Sequence, residues 1–598
     1  MSEPPSVGFQ ITSDPDRTTA GAPTGGAAER ERGGAFRLVL VADLDPQAAQ
    51  PDWADGDRVW DVDVNTFAER MREHGPRLDV TVPGLDGERL PVAWTADALD
   101  AFTPAGIVSR VPGLAAAAQA QAALDDARRG GLGLDALRER LRQTGVAGAD
   151  DLTAAVAARP ASPPASPSSG GPLDALFGMV ALDADDTSPP VNPLLDALVG
   201  GPSGPSDIDR AAAERVAADV AGRLRKTLAA IVEYPDVRRA EAGWRGLKLL
   251  VDRLAFPKGA RLSVLAAPKA ALAQAVHHQV LLAEHARPGQ TPLAAVLLDH
   301  AVEATSADLA ALGDLAASGA SLQVPIVVGA SPAFFGLDGP TDFARLPPVA
   351  ALFQRTEYAA LRSLQARPEA AFLALAIPPF LLRTAFGPDH PDPAHGVEGG
   401  ERLWGSGALL VGLAMAEAHR ERGWPTASAG QAVPDLPVWA GRTGATPLAA
   451  AFGNDVVADL ARAGVLAFAG PLGSDRAVLG SAAMVAAGDV SGDAHARPSL
   501  PAAVFTALAT HRALTLGAAC AGLDPDAAGA EIDRRFRAFV RGDAGPVEPD
   551  AVTVQHVGAH DTAASRTYAV RLRPSRDVLP EPVGVVLGVE VPRATAGG

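Results

Sequence analysis

The pattern of apolar and polar residues near the start of the chain predicts strands followed by helices. In segment 6–12, Val7, Phe9 and Ile11 alternate with small or polar residues, which is typical of a short strand. After a stretch rich in Gly, Pro and charge, residues 36–42 are almost continuously apolar, as expected for a parallel strand buried on both faces. Further strands are predicted at 60–64, 78–82 and 90–94, a helix after Asn65, and helices from 98 to 143. We therefore expect a compact α/β unit over residues 35–156.

The second half of the chain begins with a helical pattern and then alternates between strands and helices. Apolar residues recur every four positions from Ile208 to Leu228, behind a capping-box-like Ser206 and Asp209. Pro235 separates this helix from a second one. The pattern then predicts parallel strands at 261–265, 294–298, 325–328 and 372–375, and antiparallel strands at 551–554, 567–573 and 583–591.

Two segments rich in Pro, Gly, Ser or charge divide the chain, because such composition does not pack a core. The division predicts an N-terminal strand and linker (1–34), an α/β domain (35–156), a linker (157–206), a larger α/β domain (207–545), and C-terminal strands and tail (546–598). The second linker holds two short apolar islands, one with Leu173, Leu176 and Phe177, the other with Leu194, Leu195 and Leu198. Each island is either a transient packing element or a recognition helix for a partner groove.

Charge and composition exclude several classes of function. The 598 residues include 52 Lys+Arg and 70 Asp+Glu, a net charge of −18, which argues against broad binding to nucleic acid or anionic membrane. A single cysteine, Cys520, excludes an intrachain disulfide framework. The first residues lack an apolar core, and the apolar stretches at 370–382 and 407–416 are too short to span a bilayer. We expect a cytoplasmic protein that is not inserted in a membrane.

Motifs of catalysis are missing from the sequence. It contains no GxxxxGK[ST], HExxH or GxSxG pattern. Two imidazoles and two carboxylates fall within 389–395 (DHPDPAH), but their spacing fits no standard metal site. A metal-dependent enzyme using this loop is therefore the weaker alternative, and we expect no catalytic residue, metal or cofactor.

Residues 241–252 (EAGWRGLKLLVD) carry a dense signature that resembles the large subunit of the contractile sheath of type VI secretion systems. Its residues are Glu241, Trp244, Arg245, Gly246 and Leu247, followed in the expected order by Arg383 in AIPPFLLR and by Trp404 and Gly405 in LWGSGA. One departure is Ala385-Phe386-Gly387, where the family commonly has Pro-Tyr-Gly. The first unit resembles the sheath small subunit through VLVADL (39–44), VDVNTF (62–67), DAFTP (100–104) and VPGL (111–114). The chain thus resembles a fusion of both subunits, with two sheath-type α/β domains.

The resemblance implies a structural protein, not an enzyme. Family members assemble into a helical sheath around an inner tube of Hcp-like protein, attach to baseplate proteins, and contract to drive the tube outward. The resemblance also implies strand exchange between protomers, through Val7, Phe9 and Ile11 at one terminus and Tyr568, Val570, Leu572, Val585, Leu587 and Val589 at the other. A lone strand and an exposed sheet edge both favour such pairing, although the N-terminal strand could instead fold back on its own chain. An AAA+ unfoldase that recycles sheaths would grip one of the linker islands. An alternative is the sheath of a related non-secretory or extracellular injection device.

Overall fold

The computed structural model describes residues 10–13, 35–84, 88–158, 207–286, 290–387, 397, 401–441, 444–488, 498–541 and 547–593. Its strands are β1 Gln10–Ser13, β2 Phe36–Ala42, β3 Trp60–Asp61, β4 Arg77–Pro83, β5 Arg89–Thr95, β6 Ala260–Ala266, β7 Leu293–Val302, β8 Ile326–Ala330, β9 Leu373–Ile377, β10 Phe380–Arg383, β11 Leu403–Gly405, β12 Ala432–Val433, β13 Trp439–Gly441, β14 Gly444–Thr446, β15 Val465–Ala469, β16 Ala477–Ser481, β17 Val552–His556, β18 Ser565–Leu572 and β19 Val583–Pro592.

Helices cover both faces of the largest of the resulting sheets. They are α1 Phe67–His74, α2 Pro104–Arg110, α3 Pro112–Arg128, α4 Leu134–Thr144, α5 Ala149–Val156, α6 Arg210–Val232, α7 Pro235–Arg253, α8 Leu272–Ala275, α9 Leu282–Ala286, α10 Ser306–Leu322, α11 Val349–Leu352, α12 Ala359–Gln365, α13 Gly407–Arg422, α14 Asn454–Ala463, α15 Leu500–Ala519 and α16 Pro525–Phe539. A π-helical turn, Val276–Leu281, separates α8 from α9. The predicted α/β class is confirmed.

A mixed sheet forms the centre of the molecule. Within the described residues it has nine strands in the order β12-β16-β15-β9-β8-β7-β2-β6-β3. The strands from β15 to β6 in this order are parallel, whereas β3, β16 and β12 pair antiparallel at the two margins. The parallel strands predicted from the alternating pattern are therefore confirmed.

Strand β2 lies inside the sheet built by the second half of the chain. Its Leu40 is opposite Val264 of β6 on one side and Leu297 of β7 on the other. The expectation that residues 35–156 form a compact unit of their own is therefore wrong for this strand. Both of its edges are paired with distant residues, so the early and late parts of the chain share one sheet.

The side chains of β2 enter two different cores because successive residues of a strand point to opposite faces. Leu38 and Leu40 belong to a core that also contains Trp244 of α7 and Leu409 of α13. Val39 and Val41 belong to the opposite core, which contains residues of α10 such as Leu312. Burial on both faces explains why this segment is almost continuously apolar.

The two ends of the second linker meet at the surface of a small helical layer. Helices α3, α4, α5 and α6 share a satellite core that includes Leu124, Leu137 and Ala213. Next to it, Ala157 and Ile208 form an antiparallel bridge, and the Ala158 amide donates to the Asp207 carbonyl at 2.9 Å. Residues 159–206 thus begin and end at neighbouring points.

Three predicted boundaries differ from the structure. The strand predicted at 60–64 is limited to Trp60–Asp61, and Val64 is 61% exposed. Helix α1 begins after Thr66, and the Asn65 amide donates to the Asp63 carboxylate instead of Asn65 capping the helix. Helix α6 is capped by Asp209, whose carboxylate accepts from the amides of residues 211 and 212.

Candidate functional site

The signature residues build a buried ionic cluster under helix α7. Glu241 is completely buried, and its two carboxylate oxygens accept from Arg383 Nε at 2.8 Å and Arg383 Nη2 at 3.0 Å. Arg245, one helical turn further along α7, donates to Glu241 at 2.7 Å. A buried carboxylate is stable only when it is paired and hydrogen-bonded in this way. The cluster therefore fixes α7 against β10.

Trp244 connects α7 to the N-terminal part of the chain. Its indole Nε1 donates to the Leu44 carbonyl, 200 residues earlier in the sequence, at 3.2 Å. Two glycines let the helix approach its neighbours: a Cβ at position 243 would lie 2.9 Å from a Leu44 methyl, and one at Gly246 would lie 2.5 Å from a Leu409 methyl. Leu247 is buried in the same core. The signature thus encodes close packing.

The remaining signature residues lie on the neighbouring hairpin. Trp404 and Gly405 of β11 pair with Leu381 and Phe380 of β10, the strand that carries Arg383. The Arg383 guanidinium lies 3.8 Å from the centre of the Phe386 ring, so the departure from the family pattern keeps an aromatic ring beneath the arginine. The structure therefore brings the signature positions into one region of the molecule.

A second sheet joins the two ends of the described chain. Within the described residues its order is β1-β19-β18-β17, all antiparallel, with Ile11 opposite Val585. The predicted exchange residues of β18 and β19 are buried: Tyr568, Val570, Leu572, Val585, Leu587 and Val589. Strand β1 pairs here with its own chain, and β17 lies at the opposite edge. The role of these strands in exchange stays a prediction.

Several predicted sites lie outside the described residues. These are Val7 and Phe9, the two linker islands (Leu173, Leu176 and Phe177; Leu194, Leu195 and Leu198) and the 389–395 loop. Over the part of the chain that is described, no group of three or more His, Cys, Asp or Glu side chains is placed to hold a metal ion. In that same part, no helix has the length and apolarity needed to cross a bilayer.

Buried titratable groups near the central sheet escaped the sequence reasoning. Burial raises the pKa of Asp299 to about 6, although a hydrogen bond from the Ser406 backbone acts to lower it. Burial lowers the pKa of His300 and of His419 to about 4. Arg37 of β2 forms an ion pair with Glu284 of α9. None of these residues belongs to a recognisable motif, and no sequence signal would have found them.

Comparison with protein families gives two matches in consecutive parts of the chain. Residues 22–150 match the family described as "Type VI secretion system, VipA, VC_A0107 or Hcp2". Residues 214–485 match the family described as "VipB: EvpB/VC_A0108, tail sheath N-terminal domain". The two matched regions flank the linker whose ends meet at the Ala157–Ile208 bridge.

A curated relative and two solved structures are also similar. The type VI secretion system sheath protein TssC1 of Pseudomonas aeruginosa PAO1 is 22% identical over 233 residues, covering 35% of this chain and 47% of the relative. The chain thus spans about half the length of the curated relative it matches. The anti-feeding prophage baseplate structure covers 59% of this chain and 77% of the other, at 13% identity and a TM-score of 0.33. The contracted anti-feeding prophage sheath covers 59% and 79%, at 15% identity and a TM-score of 0.31.

Proposed function

Because the chain belongs to the sheath family of type VI secretion systems, with the small- and large-subunit regions fused, we propose that it is a protomer of a contractile sheath. One observation carries the proposal: β2, from the small-subunit region, is paired on both edges with strands of the large-subunit region. The two regions therefore fold as one body, which is the unit that a helical assembly repeats.

Assembly would occur through the terminal sheet. Within the described residues, strand β1 is four residues long and pairs along one edge, with β19. A short edge strand is weakly held, and the same hydrogen bonds can be made with β19 of a second copy. Pairing of this kind is heterologous, so it continues from copy to copy into an open helix. Buried side chains along β18 and β19 supply the fixed half of the contact.

The partners follow from this role. The sheath would surround a tube of Hcp-like protein, start from baseplate proteins and contract in the cytoplasm as a rigid-body switch. An AAA+ unfoldase would recycle it by gripping an island of the 157–206 linker. The protein has no reaction to catalyse in this role, since the work comes from rearranged contacts between protomers.

Electron microscopy of the expressed full chain tests the proposal. We expect hollow tubes with a regular helical repeat. They should form from the chain alone or after the cognate inner-tube protein is added. A uniform monomer in the presence of that inner-tube protein would contradict the proposal. A variant lacking residues 1–13 is the matched control, because it should fold normally and form no tubes.

A further inference from the structure

A small cavity lies between helices α9 and α15, at the surface of the molecule. Its volume is about 30 Å³, which is enough space for one group of the size of a water molecule or an ammonium group. Its polar lining consists of Glu284 and His285 from α9 and of Thr510 and His511 from α15. None of these residues belongs to the signature cluster or to the terminal sheet.

One carboxylate oxygen in the wall of this cavity is buried without a hydrogen-bond partner. The Glu284 side chain is 8% exposed, and Arg37 of β2 pairs with its Oε2. Among the described residues no donor reaches Oε1, and His511 Nδ1 lies 3.6 Å away, which is beyond hydrogen-bond distance. A buried acceptor without a donor destabilises the folded chain. This oxygen therefore marks a place where a donor from outside the chain would be held.

A second acceptor comes from the facing helix. The Thr510 hydroxyl donates its proton to the side-chain oxygen of Gln323 at 2.5 Å, so the hydroxyl oxygen can only accept from a bound group. A carboxylate oxygen and a hydroxyl oxygen in the same wall both require N–H or O–H donors. An ammonium group has three such donors, no acceptor and the charge opposite to that of a carboxylate, so it matches both oxygens.

Apolar side chains form the rest of the wall. Leu293, Val324 and Ala507 are buried, whereas Leu322 is partly exposed and Leu514 is 52% exposed. Lysine-like groups lay the methylene part of their chain along apolar surface while the charged end stays with a polar partner. The two exposed leucines thus offer contact to an alkyl chain whose charged end lies in the cavity.

We propose that this cavity binds a primary ammonium group carried on an unbranched alkyl chain. The ammonium group donates to Glu284 Oε1 and to the Thr510 hydroxyl oxygen, and the alkyl chain packs against Leu322 and Leu514. The group belongs either to a free alkylamine or to a lysine side chain of another polypeptide. Binding of this kind does not require assembly into a sheath.

Calorimetric titration of the dispersed full chain with pentylamine tests the proposal. We expect a dissociation constant on the order of 1 mM or tighter. Pentan-1-ol has nearly the same shape without the charge and should bind at least about tenfold more weakly. Pentyltrimethylammonium keeps the charge, but it has no N–H donor and its head group exceeds the space available, so it should not bind.

Two substitutions of the same kind on α15 show whether the binding occurs in the cavity. Thr510→Val removes one acceptor with little change in shape and should weaken binding of pentylamine by about tenfold. Thr515→Val is the matched control, because the Thr515 hydroxyl donates to carbonyls of its own helix and does not line the cavity. It should bind like the wild type. Glu284→Gln should abolish binding, and its urea unfolding curve reports the effect of weakening the pair with Arg37.

Nα-acetyl-L-lysine methylamide, which carries the ammonium group as a lysine in a polypeptide does, separates the two sources. Binding of both this probe and pentylamine indicates a lysine side chain, whereas binding of pentylamine alone indicates a free amine. Absence of pentylamine binding, as expected for a cavity that holds only water, would overturn the proposal. Equal binding of pentan-1-ol, or equal binding by the two valine variants, would also overturn it.

Discussion

Two strands from the N-terminal part of the chain, β2 and β1, join sheets made by residues far along the sequence, and they do so differently. Strand β2 has seven residues, is paired on both edges and is buried on both faces. Strand β1 has four residues and, in the part of the chain that the structure describes, pairs along one edge, with β19. The central junction around β2 has the properties of a folding core, whereas the terminal sheet around β1 has those of a contact that can be exchanged.

The difference separates the pairing of β2, which the fold requires, from the pairing of β1, which can be exchanged. Removing β2 would open the middle of a parallel sheet and expose apolar residues of both cores. Removing β1 would leave β17, β18 and β19 as a three-stranded sheet that still packs on α15 and α16. In a sheath that contracts, the first kind of junction would keep each protomer intact while the second kind connects protomers.

The largest expected effect comes from the ionic cluster that holds α7 at the central junction. Glu241→Ala would leave Arg383 buried without its partner, which costs about 3–5 kcal/mol of unfolding free energy. Asp252→Asn on the same helix breaks an exposed pair with Lys248 and should cost no more than about 1 kcal/mol. Urea unfolding of the dispersed chain measures both. Equal losses would show that the buried cluster does not stabilise the junction.

The next effect compares the two sheets directly with one kind of substitution. Val41→Ala in β2 removes fully buried methyl groups, and we expect a loss of about 2–3 kcal/mol. Val554→Ala in the edge strand β17 affects a half-buried side chain and should cost less than about 1 kcal/mol. The same urea experiment reports both values. A larger loss of unfolding free energy at Val554 would contradict the view that the central junction is the folding core and the terminal sheet the exchangeable contact.

Acid should weaken the central junction through His419, whose ring packs edge-on against Phe36 of β2. Because its pKa in the folded chain is about 4, the unfolded chain binds a proton that the folded chain does not. Its contribution to stability is therefore complete above about pH 6.5 and falls by ~2–3 kcal/mol as the pH drops to about 4. His300 acts in the same direction. Asp299 acts in the opposite direction: because its pKa is raised to about 6, its protonation in the folded chain adds to stability as the pH falls below about 6.

His419→Gln should therefore make the unfolding free energy depend less steeply on pH between 4 and 6.5. The slope should fall by up to the value for one bound proton, about 1.4 kcal/mol per pH unit. Gln555→Ala, at an exposed position of the terminal sheet, removes no titratable group and should leave that slope unchanged. Unfolding free energies measured at several pH values give both slopes. An unchanged slope in the first variant would exclude His419 as the acid-sensitive group.

The smallest effect on stability is expected from removing residues 1–13. The dispersed chain should lose less than about 1 kcal/mol, since a four-residue edge strand makes few contacts. Tube formation, counted by electron microscopy, should nevertheless disappear. Deleting thirteen residues within 14–34 keeps the strand and should allow tubes. Tubes formed without residues 1–13 would show that this strand does not connect protomers.

Local features of the fold could be predicted from the sequence, but long-range pairing could not. Alternation at 78–82 and 90–94 was sufficient for the β4–β5 hairpin, because side-chain burial in a strand follows a period of two. The apolar run at 36–42 predicted a strand buried on both faces. Its position between β6 and β7 depends on residues more than 200 positions away, and no local pattern specifies such neighbours.

The candidate site shows the same limit. The signature identified Glu241 and Arg383 as important positions, yet their pairing across 142 residues follows only from the packing of α7 on β10. A cavity beyond the ends of β2 and β6, which Asp43 and Asp45 line, could not be predicted, although both residues follow a predicted strand. A site beyond strand ends is recognised from the strand order, and no local pattern specifies that order.

The bridge between Ala157 and Ile208 has a consequence for how the gene can be rearranged. Because residues 159–206 leave and re-enter the body at adjacent points, their length is not set by any distance they must cover. Doubling a loop costs only about 0.6 kcal/mol in closure entropy. The same fold can therefore be encoded as one polypeptide or as two. A foreign domain inserted at this position would be present once in every copy of the chain.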